Sequence, residues 1–319
     1  MKSIENINKF LSYLFFLIPI TLVSGPFIPD LIVSIIGFSY FFILFKKGEL
    51  NTLLNKNNLI FIFFCIYLTL RALFSIDVQS SILPSIFYFR FGLFILAAVY
   101  LIKVYPNFQN QFTKFLLLTI LFVSMDAYIQ IIFGYNLLGM KNEVSDRVSG
   151  LFGDEYVLGS YLVRLFPLLI ALLIDKITSS FKYKILFILA TVFYNVLIFL
   201  IAERTAFALN ILFFILFILI IRKTRVLMII TLVVSLFGLF LAGNLNKSSH
   251  ERMVSQTINE VFKDGKINVF TEGHQNHLKT AIKIFKDNIL FGHGVKTFRI
   301  LCKDPKYYET LTSCSTHPH

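Results

Sequence analysis

Arg71, Arg90 and Arg164 lie within strongly apolar runs, and Arg204 occupies a tight turn between two more. An ionised side chain at the centre of a membrane helix costs at least about 2.5 to 3.5 kcal/mol, so each of these positions asks for a reason. Singly, each reads equally well as an arginine snorkelling to head groups or neutralising an acid, with Asp126 and Glu203 available as counter-charges. Together they lie toward one face. Guanidinium forks grip phosphate oxygens bidentately, so a cluster of this kind suits an anionic head group such as a lipid-linked pyrophosphate. Arg147 opens a glycine-punctuated loop, with Gly150, Gly153 and Gly159 following, and adds a cation at the same face. On its own that loop reads as a plain connecting turn.

The other chemistry-bearing residues collect at the C-terminal end. All six histidines, His250, His274, His277, His293, His317 and His319, follow residue 243. Imidazole is suited to accept a proton near neutral pH. Neither HExxH nor paired CxxC spacing is present, so neither a metal nor any other cofactor is expected. Cys302 and Cys314 are 12 residues apart. They read either as two free thiols or as a bridge worth roughly 3 kcal/mol in the chain-entropy picture. Leu278, Ala281, Ile282 and Phe285 recur at helical spacing opposite Lys279, Lys283 and Lys286, which predicts a basic amphipathic helix lying on a leaflet or capping the spans.

The elements that must position these groups are membrane helices. Of the 319 residues 56% are hydrophobic and only 15% charged, and mean hydropathy is +0.75, more apolar surface than a water-soluble globule can hide. Runs of about 20 apolar residues span the hydrocarbon. Nine are expected, at residues 8–24, 27–45, 59–76, 85–102, 113–133, 157–174, 185–202, 205–221 and 226–243. The first could equally be a signal peptide. The fold class is therefore all-α, a polytopic bundle over 1–243, followed by a mostly helical loop over 244–319.

Lys and Arg mark the cytoplasmic side of a membrane protein. Lys2, Lys9, Lys46, Lys47, Lys56, Lys103, Lys114, Lys176, Lys182, Lys184, Arg222, Lys223 and Arg225 all fall on one side of the spans. Most of the net charge of +12 is thus a topology signal, and no nucleic-acid partner is implied. The expected topology puts the N-terminus in the cytoplasm and residues 244–319 outside.

Four stretches resemble the O-antigen ligase and polymerase superfamily of bacterial envelope glycosyltransferases. They are Tyr88-Phe89-Arg90-Phe91, residues 147–159, Glu203-Arg204-Thr205-Ala206, and the tail over 271–319, which ends Cys314-Ser315-Thr316-His317-Pro318-His319. The resemblance implies an inner-membrane helical fold with a large periplasmic loop over a cavity for undecaprenyl-pyrophosphate-linked glycan. It implies that Arg204 holds the pyrophosphate and that His319 is the catalytic histidine. His274 stands where many members have a second functional arginine and is a possible substrate-binding residue. Glu203 stands where the family has a small residue and would compete with phosphate for Arg204. The resemblance also implies an Asn, more loop and further spans beyond His319, so that these residues read as a fragment, inactive in this form.

The expected reaction is transfer of a glycan from undecaprenyl pyrophosphate to an acceptor hydroxyl, as in lipopolysaccharide biosynthesis. His319 acts on the acceptor, and Arg204, Arg164, Arg147 and Arg90 act on the leaving pyrophosphate. The acceptor is lipid A core for a ligase, or another lipid-linked glycan for a polymerase. A lipid-linked glycan transporter is the rival from another class, although the chain has neither paired repeats nor, apart from Pro167, deep helix interruptions.

Overall fold

The computed structural model describes residues 2–141, 147–262, 268, 272–308, 310 and 313–315. Among them the chain is helical throughout, with no strand. The helices are α1 (Lys2–Thr21), α2 (Phe27–Lys47), α3 (Lys56–Leu73), α4 (Val78–Ile86), α5 (Phe89–Val104), α6 (Phe108–Phe133), α7 (Leu158–Ser179), α8 (Phe181–Leu200), α9 (Arg204–Ile220) and α10 (Arg225–Leu245). Beyond α10 come α11 (Lys247–His250), a π-helical turn (Glu251–Ser255), α12 (Gln256–Val261), α13 (Glu272–Asp287) and α14 (Phe298–Leu301).

Among the described residues eight segments are long and apolar enough to cross a membrane, and α9, at 17 residues, is a shorter apolar helix. The chain is a multi-pass membrane protein. The expected fourth span starts earlier than the sequence suggests. A short helix, α4, precedes α5, and the two break at Phe87 and Tyr88 after Pro84, whose ring removes a helical hydrogen bond.

The chain clusters into two compact units: residues 1–6, 31–103 and 260–319 form one, and residues 7–30 and 104–259 the other. Residues just past α10 fold back onto the second unit, where Ser249 Oγ donates to Leu200 O at 3.2 Å. The later tail is bonded within the first.

In the second unit Leu158, Leu162, Leu197, Ile198 and Phe214 form the buried centre of α7, α8 and α9. Lipid is as apolar as leucine, so helices here associate through small residues and internal polar contacts. Gly238 of α10 brings the backbone close to Val192 and Val196 of α8. Asn210 Nδ2 donates to Asn195 Oδ1 and Asn195 Nδ2 to Ser235 Oγ, both at 2.8 Å, which ties α9, α8 and α10 together away from lipid.

In the first unit α5 packs on α2 and α3. A side chain at Gly37 would press on Arg90 O and Leu93 at 3.2 Å, and one at Gly92 would run into the Phe61 ring. The tail is held to the α3–α4 turn. Arg71 Nε donates to Phe291 O at 2.9 Å and Nη2 to Gly292 O at 2.6 Å, while Ser81 Oγ donates to Val295 O at 2.6 Å. Arg71 is thus a backbone clamp on the tail turn.

Candidate functional site

The site is built around the turn between α8 and α9. Ala202 has φ +59°, a left-handed conformation that a side chain other than glycine adopts at a cost of order 1 kcal/mol or more. Its surroundings hold it there. Ala202 N donates to Phe199 O at 3.1 Å, Val148 N to Ile201 O at 3.2 Å, and Arg252 Nε to Ala202 O at 3.0 Å. The twist starts α9 at Arg204 and turns Glu203 inward, 8% exposed.

The Glu203 carboxylate meets the first turn of α7. It accepts from Ser160 N at 3.0 Å and from Ser160 Oγ in a very short contact. Free N–H groups and the positive end of the helix dipole suit a carboxylate there. The approach requires Gly159, since a Cβ on it would lie 2.7 Å from Glu203 Oε2 and 2.8 Å from Ala206 Cβ. The acid beside Arg204, expected to compete with phosphate for it, is thus occupied by α7.

Four segments that carry arginines meet at this turn. Arg204 donates from Nε to Arg252 O at 3.2 Å and from Nη2 to Gln256 Oε1 at 3.1 Å. Arg252 stands in the π-helical turn, a rare conformation found disproportionately at functional sites. Arg147 directly precedes Val148, which bonds the turn, and its Nη2 donates to Tyr156 O at 2.7 Å with the guanidinium 5.0 Å over the Tyr156 ring. Arg164 is exposed and four residues after Ser160, so it lies one turn along the same face of α7.

The loop ahead of α7 is pinned by buried polar groups. Gly150, at φ +56°, donates its N–H to Gln130 Oε1 at 2.7 Å, and its carbonyl accepts from Asn136 Nδ2 at 2.8 Å. Asp126, with no exposed surface, accepts from Leu137 N at 2.9 Å. The loop is therefore a bonded support for Arg147 rather than a plain turn. Asp126, read from sequence as a counter-charge, serves that support.

The remaining candidates belong to the other unit or fall outside the described residues. Arg90 and His274 belong to the other unit. Arg90 begins α5 with its guanidinium 5.0 Å over the Phe91 ring, and His274 is exposed in the first turn of α13. Cys302 and Cys314 are joined as a disulfide in that same unit, with their Cα atoms 5.1 Å apart. His319 lies outside the described residues. Among the described residues no three His, Cys, Asp or Glu side chains gather as a metal site would require.

Sequence reasoning missed Arg252, Gln256 and Ser160. Arg252 carries a faint signal as a cation seven residues past the end of α10, but only the fold brings it against residue 202. Compared with known protein families, curated proteins and solved structures, the chain matches none.

Proposed function

We propose that the chain binds the pyrophosphate of an undecaprenyl-linked glycan at the α8–α9 turn and transfers the glycan to an acceptor hydroxyl, as O-antigen ligases do. The observation that carries this reading is the meeting of segments bearing Arg147, Arg164, Arg204 and Arg252 at one strained turn, with its own acid, Glu203, directed to Ser160. The bonded guanidinium groups of Arg147, Arg204 and Arg252 are preformed donors with little freedom to reorganise, which suits charge that develops on a leaving group.

In the reaction the acceptor oxygen attacks the anomeric carbon, and its proton passes to the His319 imidazole. The bond from that carbon to the pyrophosphate oxygen breaks, and its electron pair leaves with the lipid pyrophosphate. Arg164, which makes no hydrogen bond or ion pair among the described residues, takes phosphate oxygens directly, and Arg204 sets the edge of the site. Binding of undecaprenyl pyrophosphate to the purified chain, in competition with the monophosphate, tests the reading. Arg164→Gln and Arg204→Lys should each weaken pyrophosphate binding by about 10- to 100-fold, since one lost or misshapen charge-assisted contact is worth ~1.5 to 3 kcal/mol. In a homologue that carries the complete loop, the substitution equivalent to His319→Ala should spare binding and lower glycan transfer by about 10² to 10⁴-fold. Equal binding of mono- and pyrophosphate, or wild-type affinity in both arginine variants, refutes it.

A further inference from the structure

At the other end of α7 from Ser160 lies a partly open cleft of about 560 Å³ between α6, α7 and α8, lined almost entirely by apolar side chains. Phe166 and Tyr194 close one end as stacked rings, with centroids 3.7 Å apart. Lys176 and Tyr183 form the other, with the ammonium 5.3 Å over the ring. Tyr183 and Tyr194 are separated by about 16 Å along α8 at 1.5 Å per residue. That is about the depth of one leaflet's hydrocarbon, half of a core near 30 Å.

We propose that this cleft holds an acyl chain of an anionic glycerophospholipid, with the lipid phosphate against Lys176. The length matches a single leaflet, the lining is hydrocarbon, and the charged residue of the lining is a cation at the mouth. The cleft is not the site of glycan transfer. Lys176 and Ser160 stand about 24 Å apart along α7, so a head group at Lys176 cannot reach Arg204. The two readings stand or fall separately.

Native mass spectrometry of the purified chain, with phosphatidylglycerol and phosphatidylcholine of identical acyl composition in competition, tests the proposal. The wild type should retain phosphatidylglycerol with a preference of about fivefold, the scale of one basic residue near an anionic surface. Lys176→Glu should abolish that preference, while Lys56→Glu, at the start of α3, should keep it. Ala190→Trp, which fills the cleft, should lose both lipids, and Ala190→Leu is the milder filler if the larger one does not fold. An unchanged preference in Lys176→Glu, an equal loss in Lys56→Glu, full lipid retention in the cleft-filling variant, or displacement of the phospholipid by undecaprenyl phosphate at equal concentration overturns it.

Discussion

Arg204 and Arg252 each hold the backbone of the other's segment. The Arg204 guanidinium donates to the carbonyl of Arg252 at 3.2 Å, and the Arg252 guanidinium donates to the carbonyl of Ala202, two residues before Arg204, at 3.0 Å. Like charges stay adjacent because each finds carbonyl oxygens on the other's segment. The exchange clasps the start of α9 to the π-helical turn after α10, and it supports Ala202 in its left-handed conformation.

Breaking one side of the clasp should release the strained turn. Arg252→Met, which keeps much of the side-chain bulk, is expected to cost about 1 to 2 kcal/mol, because each group is only partly buried and a charged hydrogen bond is lost. Denaturant unfolding in detergent reads the loss. Arg252→Lys should recover little of it, since an ammonium cannot reproduce the planar fork.

Gly159→Ala separates packing from charge at the same site. The new Cβ would meet Glu203 Oε2 at 2.7 Å and Ala206 Cβ at 2.8 Å, both on well-packed elements. A loss of about 1 to 3 kcal/mol is expected, typical of overpacking. A thermal midpoint unchanged from wild type would contradict the close α7–α9 approach.

The tail should loosen in acid. The Asp287 carboxyl is held below its ordinary range, first by its hydrogen bond with Lys306 and then by that from Tyr307, while Lys306 is pushed up by the same carboxylate. A depressed carboxyl pKa stabilises the fold above the unfolded value, about 3.9, and that help disappears as pH falls through the folded value. A raised lysine pKa contributes below about 10.4 and is lost at higher pH. Amide protection in residues 298–308, taken relative to the intrinsic exchange rate at each pH, should therefore be highest between those limits and fall below about pH 4. Asp287→Asn should flatten the acid limb.

The exposed face of α13 should sit in lipid. Leu278, Ile282 and Phe285 are 41%, 43% and 57% exposed, and beyond the helix Leu290 is 83% exposed. Arg71 and Tyr67 near the end of α3 hold the carbonyl of Phe291, which places this apolar stretch at the level where a spanning helix ends. In bilayers, a cysteine at Leu290 should resist a water-soluble maleimide while one at Lys279 reacts. Equal labelling of both would place the face in water.

The helical period of α13 is plain in its sequence, yet it did not say which side packs inward. The buried positions are Asn276, Thr280 and Ile284, and Ile284 meets Leu301 and Tyr307. Hydropathy separates faces reliably when the surrounding solvent is water. Next to lipid it does not, and for that reason the Asn195, Asn210 and Ser235 chain was equally invisible.

Arg204 and Arg147 stood out because basic residues collect in the short loops of the other side, which leaves few on theirs. Arg252 did not, since a basic residue past a span looks like any other tail charge. Glu203 was legible as an acid beside an arginine, but its partner, Ser160, is 43 residues away in sequence.

Sequence alone determined a helical membrane protein, the near-complete set of spans, and the small group of cations from which a site could be chosen. These follow from apolar run length and the price of burying charge, which are local. The tertiary structure decided which cations meet, because Ala202 takes a left-handed turn, Gly159 admits Glu203, and a π-helical turn carries Arg252 back to residue 202. Those are contacts between distant segments, and local pattern does not encode them.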